Sequence, residues 1–193
     1  MRTAILMSLF VVGGGFLLNN KESVSATPLT VATYKTSKAK RSSSSPLSPM
    51  RIVIDKSDYE LHVYDAEGWY ATYPVVFGNN PLLDKKVEGD RCTPEGTFKI
   101  QSKKPHAKWS RFLLIDYPNQ ESLAKFNERK QRGEIPKNAK PGGGVGIHGT
   151  YPHEDFIIDR YKNWTLGCIS LKNADVQEIY SYLPVGTSVT IKK

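Results

Sequence analysis

The sequence predicts a mainly β domain, a sandwich or barrel with one or two short helices, over residues 50–193. Three observations lead there. Short apolar stretches with alternating polar positions recur at close intervals, clusters of Gly, Pro, Asn and Asp separate them, and only two stretches carry helical character. Strands that alternate with long helices, the mark of an α/β fold, are missing from this pattern.

Taken in order, residues 51–55 (RIVID) and 59–64 (YELHVY) read as two strands around Lys56-Ser57-Asp58. In the second, Tyr59, Leu61 and Val63 alternate with Glu60, His62 and Tyr64, the period-2 signature of a half-buried strand. Glu67-Gly68 makes a turn, residues 69–77 return as a third strand, and Gly78-Asn79-Asn80-Pro81 breaks it. Residues 97–100 and 112–115 are further short strands. Residues 119–132 form the best helix candidate, with Asn119 as N-cap and Gly133 as its stop. A Pro/Gly-rich loop spans 137–144, and residues 145–148 (VGIH) are a strand that runs into a long polar loop. A short helix fits 173–183, and a last strand fits 187–193.

The N-terminal quarter has a different character. Met1-Arg2-Thr3 is a short positive start, and residues 4–18 are an apolar run of fifteen. That is shorter than the ~20 residues needed to span a bilayer, and it holds three consecutive glycines. Val24-Ser25-Ala26 fits a small-residue cleavage site, so residues 1–26 read as a secretory signal peptide. The protein is then exported to the periplasm or cell envelope, and it touches a membrane only if the signal stays uncleaved. Residues 27–49 are basic and serine-rich, poor in apolar side chains, and read as a disordered, solvated tether.

Charge follows the same division. Of the net +8, residues 1–49 hold +5, from six basic side chains against Glu22. The domain itself is only weakly basic, which argues against a nucleic-acid-binding surface. No nucleotide loop appears, and neither the histidines nor the acids have zinc-ligand spacing, so no cofactor and no metal are expected. His153 with Glu154 and Asp155 reads as a solvated loop, His62 as a surface residue and His106 as loop.

Cys168 and His148 stand apart. Cys168 sits in Thr165-Leu166-Gly167-Cys168-Ile169-Ser170, where the glycine lets backbone approach a substrate closely. His148 ends an apolar strand twenty positions earlier. A cysteine nucleophile needs an imidazole within reach because the thiolate is the reactive form. Two adjacent strands joined by a long loop would bring the pair together. Cys92 reads as a small buried thiol in preference to a redox partner, since a permanent bridge to Cys168 would disable the nucleophile.

These motifs resemble the L,D-transpeptidase catalytic domain, also called the YkuD domain. The family signature is a histidine, fourteen to seventeen residues, then Ser/Thr-His-Gly-Cys. Here His148 is followed by sixteen residues and then Thr165, Leu166, Gly167 and Cys168. Gly89-Asp90 and Thr93-Pro94-Glu95-Gly96-Thr97-Phe98 resemble the family's GD-x-x-TPEG-x-F stretch, and Ile147-His148-Gly149-Thr150 its IHGT strand end. The likeness covers residues 50–193. Leu166 stands where many members have His or Arg, and Ser170 where Asn or Arg is common.

The resemblance implies that Cys168 is the nucleophile and His148 its base. Gly149 would orient the histidine, and Gly167 and Thr165 would shape the oxyanion site. Ser170, Trp164 and Arg160 would contact substrate. The implied substrate is a peptidoglycan stem peptide. Cys168 would release a terminal D-alanine, and an amine from a second stem, or from a lipoprotein lysine, would resolve the thioester. The same thiol could serve a carboxypeptidase or amidase-type hydrolase. A catalytically drifted wall-binding module is the non-enzymatic alternative.

Overall fold

The structure, a computed structural model, describes residues 38–41 and 45–193. The expected signal peptide, and positions 27–37 and 42–44 of the expected tether, lie outside the described residues. The strands are β1 (Ala39–Lys40), β2 (Arg51–Asp55), β3 (Glu60–Asp65), β4 (Gly68–Pro74), β5 (Gly96–His106), β6 (Ser110–Ile115), β7 (Gly146–His148), β8 (Ile169–Ser170) and β9 (Ser188–Lys192). They form one sheet of nine strands in the order β1-β4-β3-β2-β9-β5-β6-β7-β8. Three short helices accompany them among the described residues: α1 (Gln120–Gln131), α2 (Phe156–Asp159) and α3 (Asn173–Tyr182). The mainly β expectation holds.

Alternation explains why the early strands form where they do. In β3, Leu61 and Val63 are buried while Glu60, His62 and Tyr64 lie half-buried on the other face. The antiparallel ladder to β2 pairs Ile52 with Val63 and Ile54 with Leu61, which puts all four into one core. Helix α1 begins as expected, because the Asn119 side chain accepts the Ser122 amide at 3.0 Å. It ends at Arg132, and Gly133 follows at φ +71°, a left-handed conformation that glycine adopts without steric cost.

β5 differs most from expectation, eleven residues long where the sequence suggests four. Its first part pairs with β9 and its second with β6, and the register shifts between Ile100 and Ser102. The second part escapes a sequence reading because Gln101, Ser102, Lys104 and Pro105 are exposed, so no apolar alternation marks it. His106 ends this strand rather than lying in a loop. The stretch expected as a strand to Phe77 leaves the β3 ladder at Pro74 but stays extended. Val76 and Ser170 there exchange backbone hydrogen bonds of 3.0 and 2.9 Å. Gly78 bridges Thr165. These bridges join the chain leaving β4 to the segment around β8, so the β4 side of the sheet reaches the β8 end and both border a common core.

The described part of the expected tether is ordered. β1 pairs with the edge strand β4, Ala39 opposite Thr72 and Lys40 opposite Ala71. Arg41 makes a two-pronged pair with Asp65 at 2.7 and 3.2 Å, Lys40 meets Glu178 at 3.1 Å, and Lys38 pairs with Asp175 at 3.3 Å and with Glu178. An edge strand offers unpaired backbone groups, and acidic side chains stand beside it, so this basic segment is not simply solvated.

Candidate active site

β7 and β8 run parallel, with Ile147 opposite Ile169 and His148 opposite Ser170. Cys168 immediately precedes β8. The nineteen residues between the two in sequence thus return the chain beside its starting strand, and Cys168 and His148 line a single cleft of about 710 Å³. Four pieces of chain build it. They are the loop around residues 85–91, the glycines 142–144 ahead of β7, the tip of the β5–β6 hairpin with Trp109 and Phe112, and the nucleophile loop 164–168.

His148 is almost fully buried, at 1% exposure. Its Nδ1 lies 2.7 Å from the Gly149 carbonyl oxygen, which requires the proton on Nδ1 and leaves Nε2 with the free lone pair. Trp109 stacks on the ring at 4.4 Å, Phe112 lies parallel at 5.9 Å, and Trp164 meets it edge-on at 5.5 Å. Burial in this aromatic box pushes the imidazole down to about 4, against the opposing pull of the Gly149 carbonyl. His106 stacks on the far face of this group, 4.4 Å from Trp109, and adds a small repulsion.

The Cys168 side chain is half-buried, with its sulfur 3.7 Å from the Gly144 carbonyl oxygen. Burial pushes the thiol up from its ordinary value, partly offset by the Gly146 amide and the Lys85 charge. Burial thus favours the neutral form of both groups, the thiol and the imidazole alike. Gly146 must be glycine, since a Cβ there would lie 2.6 Å from the Phe112 ring and 2.7 Å from the Leu113 carbonyl. That close approach sets Phe112 against His148.

The other expected site residues divide. Trp164 lines the cleft. Gly149 orients His148, and its own amide donates to the Trp109 carbonyl at 3.0 Å. Gly167 and Thr165 depart from an oxyanion role. The Gly167 amide donates to Thr165 Oγ1 at 3.1 Å, and the Thr165 hydroxyl donates to the Cys168 carbonyl at 2.7 Å. Together they staple the nucleophile turn, and a Cβ on Gly167 would collide with the Cys92 carbonyl at 2.7 Å.

Ser170 is fully buried and does not reach the cleft. Its hydroxyl donates at 3.4 Å to the same Gly149 carbonyl that holds His148. The parallel register is the reason: position 170 sits opposite 148 and so lies behind His148. Removing one such hydrogen bond costs about 1 kcal/mol. Ser170→Ala is accordingly expected to lower kcat about fivefold with KM unchanged in steady-state kinetics, whereas a substrate-binding Ser170 would move KM. Arg160 is exposed at the C-terminal cap of α2, over the Phe156 ring at 5.2 Å, and lies outside the cleft. Leu166 is 77% exposed at the cleft rim.

The Gly-Asp and Thr-Pro-Glu motifs act as scaffold. The Asp90 carboxylate accepts from the amides of Lys86, Val87 and Cys92 at 2.7, 3.0 and 3.0 Å and pairs with Lys85 Nζ at 2.9 Å. Burial alone would raise its pKa, but these donors hold it below the ordinary carboxylate range. Fully buried Lys56 pairs with Glu95 at 2.6 Å and donates to the Leu83 carbonyl at 2.9 Å. Arg129 of α1 clamps Asp84 and the Lys85 carbonyl at 2.5 and 2.8 Å. Cys92 is a free, buried thiol whose sulfur lies 3.4 Å from the Asp90 carbonyl oxygen, and burial raises its pKa. Asp155 ties Thr150 to the Asn173 amide, while neighbouring His153 is exposed. Sequence reasoning missed Lys85, Glu88, Arg91, Trp109, Phe112 and Tyr151 as cleft residues. Only the Gly-Asp motif beside the first three offered a signal.

Comparison with known proteins agrees with this geometry. A family model described as the L,D-transpeptidase catalytic domain (YkuD) matches residues 49–191. The ORF 5 protein of the ATP synthase subunits region of Fuscovulum blasticum, named as an L,D-transpeptidase, is 26% identical over 201 residues, covering 98% of this chain and 96% of its own. The crystal structure of the helical cell shape determining protein Pgp2 from Campylobacter jejuni superposes with a TM-score of 0.53 at 24% identity. That match covers 75% of this chain and 47% of the Pgp2 chain, so the present chain corresponds to about half of that protein. A cysteine and a histidine delivered to one cleft by two parallel strands, with the family's motifs building the wall around them, agree with the sequence match: the chain belongs to the L,D-transpeptidase catalytic-domain (YkuD) family.

Proposed function

We propose that this protein is an exported cysteine L,D-transpeptidase acting on peptidoglycan stem peptides. The observation that carries the reading is the pairing of β7 with β8. It sets Cys168 and His148 in one cleft, with the His148 Nδ1 tied to Gly149 and Nε2 left basic. Nε2 accepts the Cys168 proton as the sulfur attacks the amide that precedes a terminal D-alanine. A thioester forms, and His148 returns the proton to the departing amine. An amine from a second stem peptide then attacks the thioester, with His148 again as base, to give a 3→3 cross-link. Because the Gly167 amide is already bonded to Thr165, the oxyanion is stabilised by other donors around Cys168. Export rests on the leader read at residues 1–26.

Incubating the protein with purified disaccharide-tetrapeptides and analysing the products by mass spectrometry tests the reading. The expected result is an intermediate heavier by a disaccharide-tripeptide acyl group, mapped to the Cys168 peptide, together with free D-alanine and cross-linked dimers. Disaccharide-tripeptide without dimers would replace transfer with hydrolysis. Neither adduct nor product would favour the wall-binding alternative.

A further inference from the structure

His106 stands next to the cleft, yet the proposed chemistry does not use it. It closes β5, and the tip of the β5–β6 hairpin folds back on it. Its Nδ1 accepts the backbone N–H groups of Lys108 and Trp109, each at 3.2 Å. One side-chain acceptor thus closes the turn that its own strand opens, as an Asx side chain does. The ring lies flat on the Trp109 indole, 4.4 Å away and 7° from parallel, and 6.0 Å from Phe112. Trp109 in turn lies on His148 at 4.4 Å and 22°. The three rings form a continuous stack from half-buried His106 to fully buried His148.

Trp109 needs such a hold. Its indole Nε1 is buried with no hydrogen-bond partner among the described residues. That costs free energy which a ring turned out to water would recover. The backbone beside it is also strained, since Ser110 adopts φ +59°. Two contacts restrain the tip without touching the indole. The Trp109 carbonyl accepts the Gly149 amide at 3.0 Å, and Gln177 of α3 donates to Ser110 Oγ at 2.8 Å. Phe112, Tyr151 and Trp164 meet the indole only tilted or edge-on, at 6.2, 6.3 and 6.3 Å. Among the described residues, His106 alone stacks on it from the side away from His148.

We propose that His106 is a positioning residue for His148: acting through Trp109, it holds the indole flat on the imidazole and keeps water off that face of the ring. Its consequence for acylation rests on the transpeptidase reading; the hold on the ring does not. The Gly149 carbonyl already ties Nδ1, so a ring fixed on both faces aims Nε2 along one line. With His106 gone, the indole can turn out and water reaches His148. The imidazole then charges at higher pH, because desolvation is what holds it down. His106 also acts by charge. Lys85, Glu88, Arg91 and Cys168 line the cleft, and Lys108 and Arg111 lie on the hairpin, but only His106 adds a charge effect to the His148 shift. The positional effect has to be read apart from that repulsion.

The test follows the His148 ring protons by NMR through a pH titration of the wild type and three variants. His106→Phe keeps a ring to stack but loses the acceptor. His106→Asn keeps an acceptor for the two amides but loses the ring, and His106→Ala loses both. All three lose the charge equally. His106→Ala is expected to raise the His148 midpoint by about one pH unit or more, and the other two by clearly less. The acid limb of Cys168 acylation by a disaccharide-tetrapeptide should move up by the same interval. Repeating the titrations in about 1 M salt screens the repulsion, so any variant that folds still reports the positional part. Equal shifts in all three variants, shifts that vanish in salt, or no shift at all would overturn the proposal. Graded, salt-resistant shifts in a protein whose wild type forms no adduct with the peptide would instead overturn the transpeptidase reading and leave the positioning role standing.

Discussion

Replacing His148 by alanine is expected to lower the rate of Cys168 acylation by about 10³-fold, within the range typical of a lost general base. The reason is the resting state of the pair. Burial raises the thiol and depresses the imidazole to about 4, so near pH 7 neither group is charged and no preformed thiolate attacks. The proton has to move as the bond forms. The wild-type acylation rate should therefore be flat through neutral pH and fall only as the pH approaches about 4, where His148 takes up a proton. In His148→Ala the rate should instead climb about tenfold per pH unit through the same range, following the small thiolate fraction. Stopped-flow acylation across pH distinguishes the two, and a flat profile in the variant would remove His148 as the base.

The same burial makes a stability prediction. His148 titrates near 6.5 when unfolded and at about 4 when folded. Above pH 6.5 it is neutral in both states and costs nothing. As the pH falls from 6.5 to 4 the unfolded chain gains a proton that the folded chain refuses. Folding stability should then drop by roughly 3 kcal/mol across that window. Urea denaturation at pH 7, 5.5 and 4 reads this slope, and His148→Gln should remove most of it.

Gly78→Ala is expected to damage the site from a distance. A Cβ at position 78 would lie 2.1 Å from the Arg91 carbonyl oxygen, 2.9 Å from its carbon and 3.0 Å from the Gly167 amide nitrogen. All three are backbone atoms, so no side chain can swing away. Relief requires parting the loop that carries Arg91 from the turn that carries Cys168. Overpacking of this kind costs about 1–3 kcal/mol. A displacement approaching 1 Å at a reacting group can reduce turnover about 100-fold. Gly133→Ala is the comparison: the space there is open and only its φ of +71° is unfavourable, so about 1 kcal/mol of stability should be lost with activity intact. Denaturation curves and kcat/KM for the two variants check both statements. A Gly78→Ala protein with wild-type stability and activity would show that the loops are not coupled through this contact.

Several elements were legible because local pattern and tertiary environment agree. β3 reads as a strand because Leu61 and Val63 face the core and their neighbours do not, and α1 reads as a helix because Asn119 caps it with its own side chain. The second half of β5 was not legible, since its exposed residues pair with β6 without leaving an apolar rhythm. The ordered strand at Ala39–Lys40 was hidden for a related reason. Its partners are Asp65, Asp175, Glu178 and the edge of β4, and all of them are remote in sequence.

The site shows the same division. Cys168 and His148 were visible in the sequence because the candidate nucleophile and base are read from residue type and from the short motifs around them. Ser170 and Arg160 were assigned to substrate by proximity along the chain, and the register of two strands places one behind the base and the other outside the cleft. The sequence by itself determined the strand-rich domain, the candidate Cys168–His148 pair and the family motifs, because each depends on neighbours within a few residues. Only the tertiary structure decided the aromatic box around His148, the burial of both groups and the charged wall of Lys85, Glu88 and Arg91 across the cleft. Those depend on burial and on contacts between loops far apart in the chain, and local sequence carries neither.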